Sequence, residues 1–134
     1  MGYLKHESCP FCTLESARIA WQAPLALSIW DAFPVSQGHA LVVPRRHAPD
    51  WDALVAEEKT AILAGVDETR ALIKARHAPD GFNIGCNDGV AAGQTVLHFH
   101  MHVIPRYAGD VPDPRGGVRS VLPAKARYRQ ASTE

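Results

Sequence analysis

The sequence has no net charge: Lys and Arg number 14, Asp and Glu number 14, and the formal sum is zero. A chain without excess positive charge lacks the field by which general nucleic-acid binders hold phosphates, so nucleic acid is not an expected partner. Cysteine is scarce. The three present, Cys9, Cys12 and Cys86, are too few and too odd in number for a disulfide framework. No stretch approaches the roughly 18 apolar residues of a membrane span, and the N-terminus lacks the charged-then-apolar order of a secretory signal. The expected setting is therefore the cytoplasm, with no membrane partner. Internal repeats, low-complexity runs and linkers are also missing ahead of the C-terminal region.

What remains is ordinary for one globular domain: 134 residues, 46% hydrophobic and 21% charged. The charge is unevenly spread. From Arg106 onward come six basic residues (Arg106, Arg115, Arg119, Lys125, Arg127, Arg129) against three acidic ones, a distribution that could steer a polyphosphate or be a solvated tail.

Residues 25–30 and 39–43 are rich in strand formers, are framed by Pro24, Pro34, Gly38 and Pro44, and read as neighbouring antiparallel strands. Asp50 is an expected cap, with a short turn or two around Trp51 and Leu54. A helical stripe of Ile62, Val66, Thr69 and Ile73 follows, flanked by Leu63 and Leu72, and it should end near His77 before the Pro79-Asp80-Gly81 turn. Residues 82–86 form a third strand with Cys86 as a buried member, and 96–104 are the longest strand candidate. The pattern predicts an α+β fold, an antiparallel sheet with one main helix packed on it.

Residues 96–104 hold the strongest signal. Side chains of a strand alternate between faces, so His98, His100 and His102 share one face, about 6.6–6.8 Å apart. Leu97, Phe99, Met101 and Val103 share the other, which needs a core. One histidine there would be a satisfied core residue; three in alternation are hard to explain by packing, because an imidazole is costly to bury without partners. Two chemistries use such a row: a histidine nucleophile attacking phosphate, or a catalytic metal held by protein ligands with one position open. The loop Gly89-Val90-Ala91-Ala92-Gly93-Gln94-Thr95 just before the row offers unobstructed N–H groups, an amide and a hydroxyl, which favours phosphate.

The run Gly93-Gln94-Thr95-Val96-Leu97-His98-Phe99-His100-Met101-His102-Val103-Ile104 resembles the signature of the histidine triad (HIT) family of nucleotide hydrolases and transferases. The resemblance extends through Asp31-Ala32-Phe33-Pro34-Val35-Ser36-Gln37-Gly38-His39 to Pro44, and through Asn87-Asp88-Gly89. The segment Ile104-Pro105-Arg106-Tyr107-Ala108-Gly109-Asp110 is similar to bacterial members described as diadenosine polyphosphate hydrolases. The resemblance implies a sheet of about five strands with one long and one short helix, a homodimer, a domain over residues 1–107, and a Pro/Gly-rich basic extension over 108–134 packed on or near it.

It also implies roles. His100 would be the nucleophile at the α-phosphate of a dinucleoside polyphosphate or nucleotidyl conjugate, passing through a covalent nucleotidyl-histidine. The carbonyl of His98 would fix its tautomer. His102, Gln94 and Thr95 would contact phosphate and leaving group, and Asn87 would order the phosphate site. Asp31 would bind the ribose diol, although by itself it reads as a turn residue; Phe11 and Ile29 would form a slot for a purine base, or be core. Cys9-Pro10-Phe11-Cys12 has the spacing of half a zinc site. By resemblance His47 and His98 complete a Cys2His2 site, structural because four protein ligands close the sphere. His39 matches a family histidine near the active site; His6 and His77 read as surface residues. Two alternatives stand beside this reading: a metal-dependent hydrolase using the triad as ligands, and a nucleotide-binding sensor.

Overall fold

The computed structural model describes residues 8–127, and His6 lies outside them. Among the described residues are five strands, β1 (Ile19–Gln22), β2 (Ala26–Trp30), β3 (Ala40–Pro44), β4 (Gly81–Gly85) and β5 (Met101–Arg106), and one α-helix, α1 (Ala56–His77), between β3 and β4 in sequence. The sheet order is β1-β2-β3-β5-β4, with every neighbouring pair antiparallel. This is the expected α+β architecture with one main helix. The expected short helix is a single 3-10 turn, Trp51–Ala53, capped by Asp50, whose side chain accepts from the Ala53 N–H. β1 was not anticipated, because its four residues pair with a register shift between Ile19 and Trp21 that blurs the alternation.

The helix starts where Glu58 reaches back to accept the Val55 N–H at 3.0 Å, closing one of the donors that a first turn leaves open. It ends at Ala78, which takes φ +49 and donates its N–H to the Lys74 carbonyl, with Pro79 preventing continuation. Ile62, Val66, Thr69 and Ile73 are buried as the stripe requires; Leu63 points to solvent, so the apolar face is narrower on that side. Gly65 lets the helix approach the sheet: a Cβ there would sit 2.7 Å from both Trp21 and Val42 side chains.

The sheet buries both faces. Ala26, Ala40, Val42, Met101 and Val103 pack with Phe99 against Ile62, Val66 and Ile73 of the helix. On the opposite face Leu27, Ile29, Leu41 and Val43 pack with Phe11, Leu14 and Ile19.

The last strand differs from expectation. It begins at Met101, not at residue 96, and runs on to Arg106. The reason lies on β3. Arg45 donates its N–H to Leu25 and His39 accepts from Asp31, so odd positions of β3 face β2 and even positions face β5. The pairing Val42↔Met101 would next set Pro44 opposite Phe99, and proline has no N–H to offer. The ladder stops, and the Phe99 N–H goes instead to the Ala48 carbonyl at 2.7 Å. Phe99, Met101 and Val103 still share the buried helix side, whereas Leu97, outside the ladder, is exposed.

After β5, Arg106 is tied to Asp110 and, at 2.6 Å, to Asn83 on β4. The chain then packs a 3-10 turn, Gly117–Val121, against β4. Cys86 stands one residue past β4, half-buried rather than buried. No helix among the described residues is long and apolar enough to cross a membrane.

Candidate active site

Because β5 starts late, the peptide groups of His98 to His100 are free for local use. His98 is fully buried, and its ring Nε2 lies 2.8 Å from the Pro44 carbonyl, to which it can only donate. Its Nδ1 therefore presents a lone pair toward Cys9 Sγ at 3.4 Å and Cys12 Sγ at 3.5 Å. The Nδ1 of His47 lies 3.3 Å from Cys12 Sγ. One donor atom from each of Cys9, Cys12, His47 and His98 lies within 4.8 Å of the others. Burial pushes the Cys9 thiol up, a penalty on the thiolate that a cation would offset. These four residues could hold a metal ion, and the Pro44 carbonyl supplies the outer-sphere hydrogen bond that fixes a metal-binding imidazole.

The main-chain carbonyl of the same His98 accepts a hydrogen bond from Nδ1 of His100 at 2.8 Å. With its proton held on Nδ1, neutral His100 carries its lone pair on Nε2. Phe11 meets the His100 ring edge-on, 5.1 Å between centroids, and covers the opposite-face cluster that contains Ile29. Ile29 is fully buried, so the accessible wall of this slot is Phe11.

His102 sits on β5 beside His100, 5.3 Å between centroids. A residue that the sequence left open, His39, completes its surroundings. The Val35 N–H donates to Nδ1 of His39 at 3.1 Å, which puts the His39 proton on Nε2. That Nε2 lies 3.0 Å from Nδ1 of His102 and 3.4 Å from Asp31 Oδ2. Burial lowers His39, partly countered by Asp31, and burial with the neighbouring His100 and His39 lowers His102 to about 4. Both rings are thus neutral near neutral pH. His39 donates to Nδ1 of His102, which leaves the His102 hydrogen on Nε2. Asp31, His39 and His102 also lie close enough for a metal. The tautomer argues otherwise, since the His39 nitrogen facing that cluster carries its hydrogen. The row of alternating histidines signalled His98, His100 and His102; His39, 59 residues before the first of them, is suggested by resemblance alone, with a structural role as the alternative.

Asp31 takes the turn role that its type suggests. One oxygen accepts the Phe33 N–H at 2.8 Å, an Asx turn, while the other faces His39 and remains partly open. The Gln94 side chain bonds within the protein. It is buried, its Oε1 accepts the Gly89 N–H, and its amide donates to the carbonyls of Pro49 and Val96. Gln94 shapes the loop. The Ala92, Gly93 and Gln94 amides likewise bond within the turn, so the cradle of free N–H groups is narrower than the sequence suggests. Gly89 and Gly93 adopt φ +95 and +96, which this turn requires. Thr95 is exposed at the loop's end, and Asn87 lies across the loop near Gly93.

An imidazole held by a backbone carbonyl, a second imidazole held as a neutral donor, and a carboxylate beyond it form an arrangement that could attack a phosphorus ester or anhydride. The sequence pattern of the HIT domain family matches residues 15–109, and this chain belongs to that family. It is 36% identical over 104 residues to an uncharacterised HIT-like protein of Mycoplasma genitalium, covering 75% of this chain and 74% of the relative. It is 34% identical over 94 residues to the asymmetrical bis(5'-nucleosyl)-tetraphosphatase of Schizosaccharomyces pombe, covering 70% of this chain and 52% of that protein. The fold is similar to that of a zinc-bound histidine triad family protein from Mycobacterium smegmatis, with a TM-score of 0.70, 33% identity, and coverage of 89% and 94% of the two chains.

Proposed function

We propose that the protein cleaves a nucleotidyl bond at the α-phosphate of a dinucleoside polyphosphate or related conjugate, with His100 as nucleophile. One observation carries the reading: the 2.8 Å hydrogen bond from Nδ1 of His100 to the His98 carbonyl, which selects the tautomer with its lone pair on Nε2. In the first step the Nε2–P bond forms and the bond from phosphorus to the leaving group breaks, its electron pair going to the leaving group. Water then attacks the same phosphorus, restores the imidazole and releases a nucleoside monophosphate. His102 donates to a phosphate oxygen, Thr95 and Asn87 contact the phosphate and departing group, and Asp31 accepts from the ribose hydroxyls. Phe11 is the accessible wall for a purine base.

The metal held by Cys9, Cys12, His47 and His98 is, in this reading, zinc. Four protein donors close its coordination, so it supplies folding energy and not an open position for chemistry. A homodimer in the cytoplasm, with residues 1–107 as the domain and 108–134 as its extension, belongs to the same proposal.

The test is to quench a reaction with an α-labelled nucleotide and map the label. The expected result is a nucleotidyl group on His100. His100→Ala should abolish turnover while leaving nucleotide affinity within about threefold, because the nucleophile acts mainly in the transition state. Label on another residue, or near-native turnover in the variant, would refute the assignment.

A further inference from the structure

The loop joining β2 to β3 carries Asp31 and His39 into the site, yet its outer half is barely buried. Residues 32–35 and Gln37 are exposed, Phe33 by 87% and Val35 by 72%. The base of the loop is closed by main chain, where Asp31 donates its N–H to the His39 carbonyl and His39 donates its own to the Ser36 carbonyl. Two side-chain hydroxyls then join the outer half to the end of β5. Ser36 donates to the Pro105 carbonyl at 2.7 Å, and Tyr107 donates to the Gln37 carbonyl at 2.5 Å. Tyr107 is itself held from behind. Its N–H donates to Asp110, the partner of Arg106, and the N–H of Ala108 donates to Asp80. Neither hydroxyl takes part in the chemistry proposed above.

We propose that Tyr107 and Ser36 are positioning residues, a clasp that keeps this loop where it decides which nitrogen of His102 carries hydrogen. The inference rests on the reading of His102 as a donor to phosphate and deepens it by naming what holds that donor in its useful form. Val35 lies directly before the clasped residues, and its N–H meets Nδ1 of His39 at 3.1 Å, near the long end of the hydrogen-bond range. A small outward shift of the loop would part them. The same loop supplies Asp31, whose Oδ2 is 3.4 Å from Nε2 of His39, so both groups that favour hydrogen on that nitrogen come from one segment. With the Val35 amide withdrawn, the His39 hydrogen is free to sit on Nδ1. Nε2 of His39 would then offer a lone pair across 3.0 Å to Nδ1 of His102, which must answer with a hydrogen. That would leave Nε2 of His102 an acceptor, the wrong polarity for a phosphate oxygen.

The experiment reads the imidazole nitrogen shifts of the full chain by NMR, near neutral pH and without nucleotide. In Tyr107→Phe the ratio of His102 with hydrogen on Nε2 to His102 with hydrogen on Nδ1 should fall by about fivefold, the scale of one neutral hydrogen bond. Ser36→Ala should move it in the same direction, and Ser36→Thr, which keeps a hydroxyl, should hold the wild-type value. His100, fixed by the His98 carbonyl instead, should keep its hydrogen on Nδ1 in all three variants. Unchanged His39 and His102 shifts in both Tyr107→Phe and Ser36→Ala would overturn the proposal. So would an equal displacement of the His100 shifts, which would show that the hydroxyls support the fold as a whole. On a nucleotidyl substrate, kcat/KM of Tyr107→Phe should fall in proportion to the fraction of His102 that has changed form. An undiminished kcat/KM beside a changed tautomer would confirm the clasp while refuting the phosphate role of His102.

Discussion

At the scale of single residues, the site is a set of tautomers fixed by backbone groups. Two imidazoles lie in similar clusters and are set to opposite duties by which of their nitrogens meets main chain. His98 gives its Nε2 proton to the Pro44 carbonyl and shows a lone pair to two thiols; His39 receives the Val35 N–H and shows a proton to His102. Imidazole nitrogen shifts from NMR should therefore report His102 as neutral with hydrogen on Nε2 from pH 8 down toward its pKa of about 4. In His39→Ala the hydrogen should redistribute between the two nitrogens; an unchanged His102 tautomer would break the relay. The same shift bears on stability. An unfolded histidine binds a proton near its ordinary value of 6.5, and His102 in the fold does so only near 4. The unfolded state thus binds more protons between those values, and stability present above pH 6.5 is lost as pH falls toward 4.

At the scale of elements, the first turn of α1 is held from outside. Glu58, 3% exposed, accepts from Arg46 through both oxygens at 3.0 and 2.7 Å, while Arg46 also donates to the Ala53 carbonyl. Burial alone would push the Glu58 carboxyl up, but Arg46 and the Val55 N–H outweigh it and hold it low. The contribution is thus present above the ordinary carboxylate range and lost as pH falls through the depressed value. Glu58→Gln should cost about 1–3 kcal/mol in urea unfolding at pH 7 and less below pH 4. A cost unchanged with pH would show that packing, not charge, is what Glu58 supplies.

The elements also show what a sequence reader can reach. The β2 and β3 strands, the helix stripe and the histidine row are written in local periodicity, so they were legible. The early end of the β5 ladder was not, because its cause is a proline more than 50 residues away, visible only once Pro44 and Phe99 face each other. The internal bonding of Gln94 was hidden for the same reason. Its partners Pro49 and Gly89 are brought to it by the fold, and residue type alone does not show that an amide is already fully bonded.

At the scale of the whole molecule, Cys9 and Cys12 join the N-terminal segment to His47 after β3 and to His98 before β5. The same segment also packs Phe11 and Leu14 on the sheet. Removing a ligand should cost about 2–4 kcal/mol, a fall in Tm of roughly 6–16 °C for a domain of this size. Cys9→Ser should show that fall with a partial loss of turnover and of bound metal in mass spectrometry, and a strong chelator should reproduce it. His100→Ala should keep its metal. If His100→Ala released the ion, the metal would belong to the chemistry and the triad would be its ligand set.

The end of the β5 ladder has a meaning in the vocabulary of inheritance. Pro44 touches no substrate in this account, and nothing about it invites a functional label. Yet the missing hydrogen on its nitrogen leaves the sheet one rung short beside Phe99, next to the His98 carbonyl that holds His100. A single codon change that restored an N–H at position 44 would offer the sheet one more rung, in competition with the backbone groups that now serve the histidines. A buried, chemically inert position thus bears on the histidines through the absence of an atom.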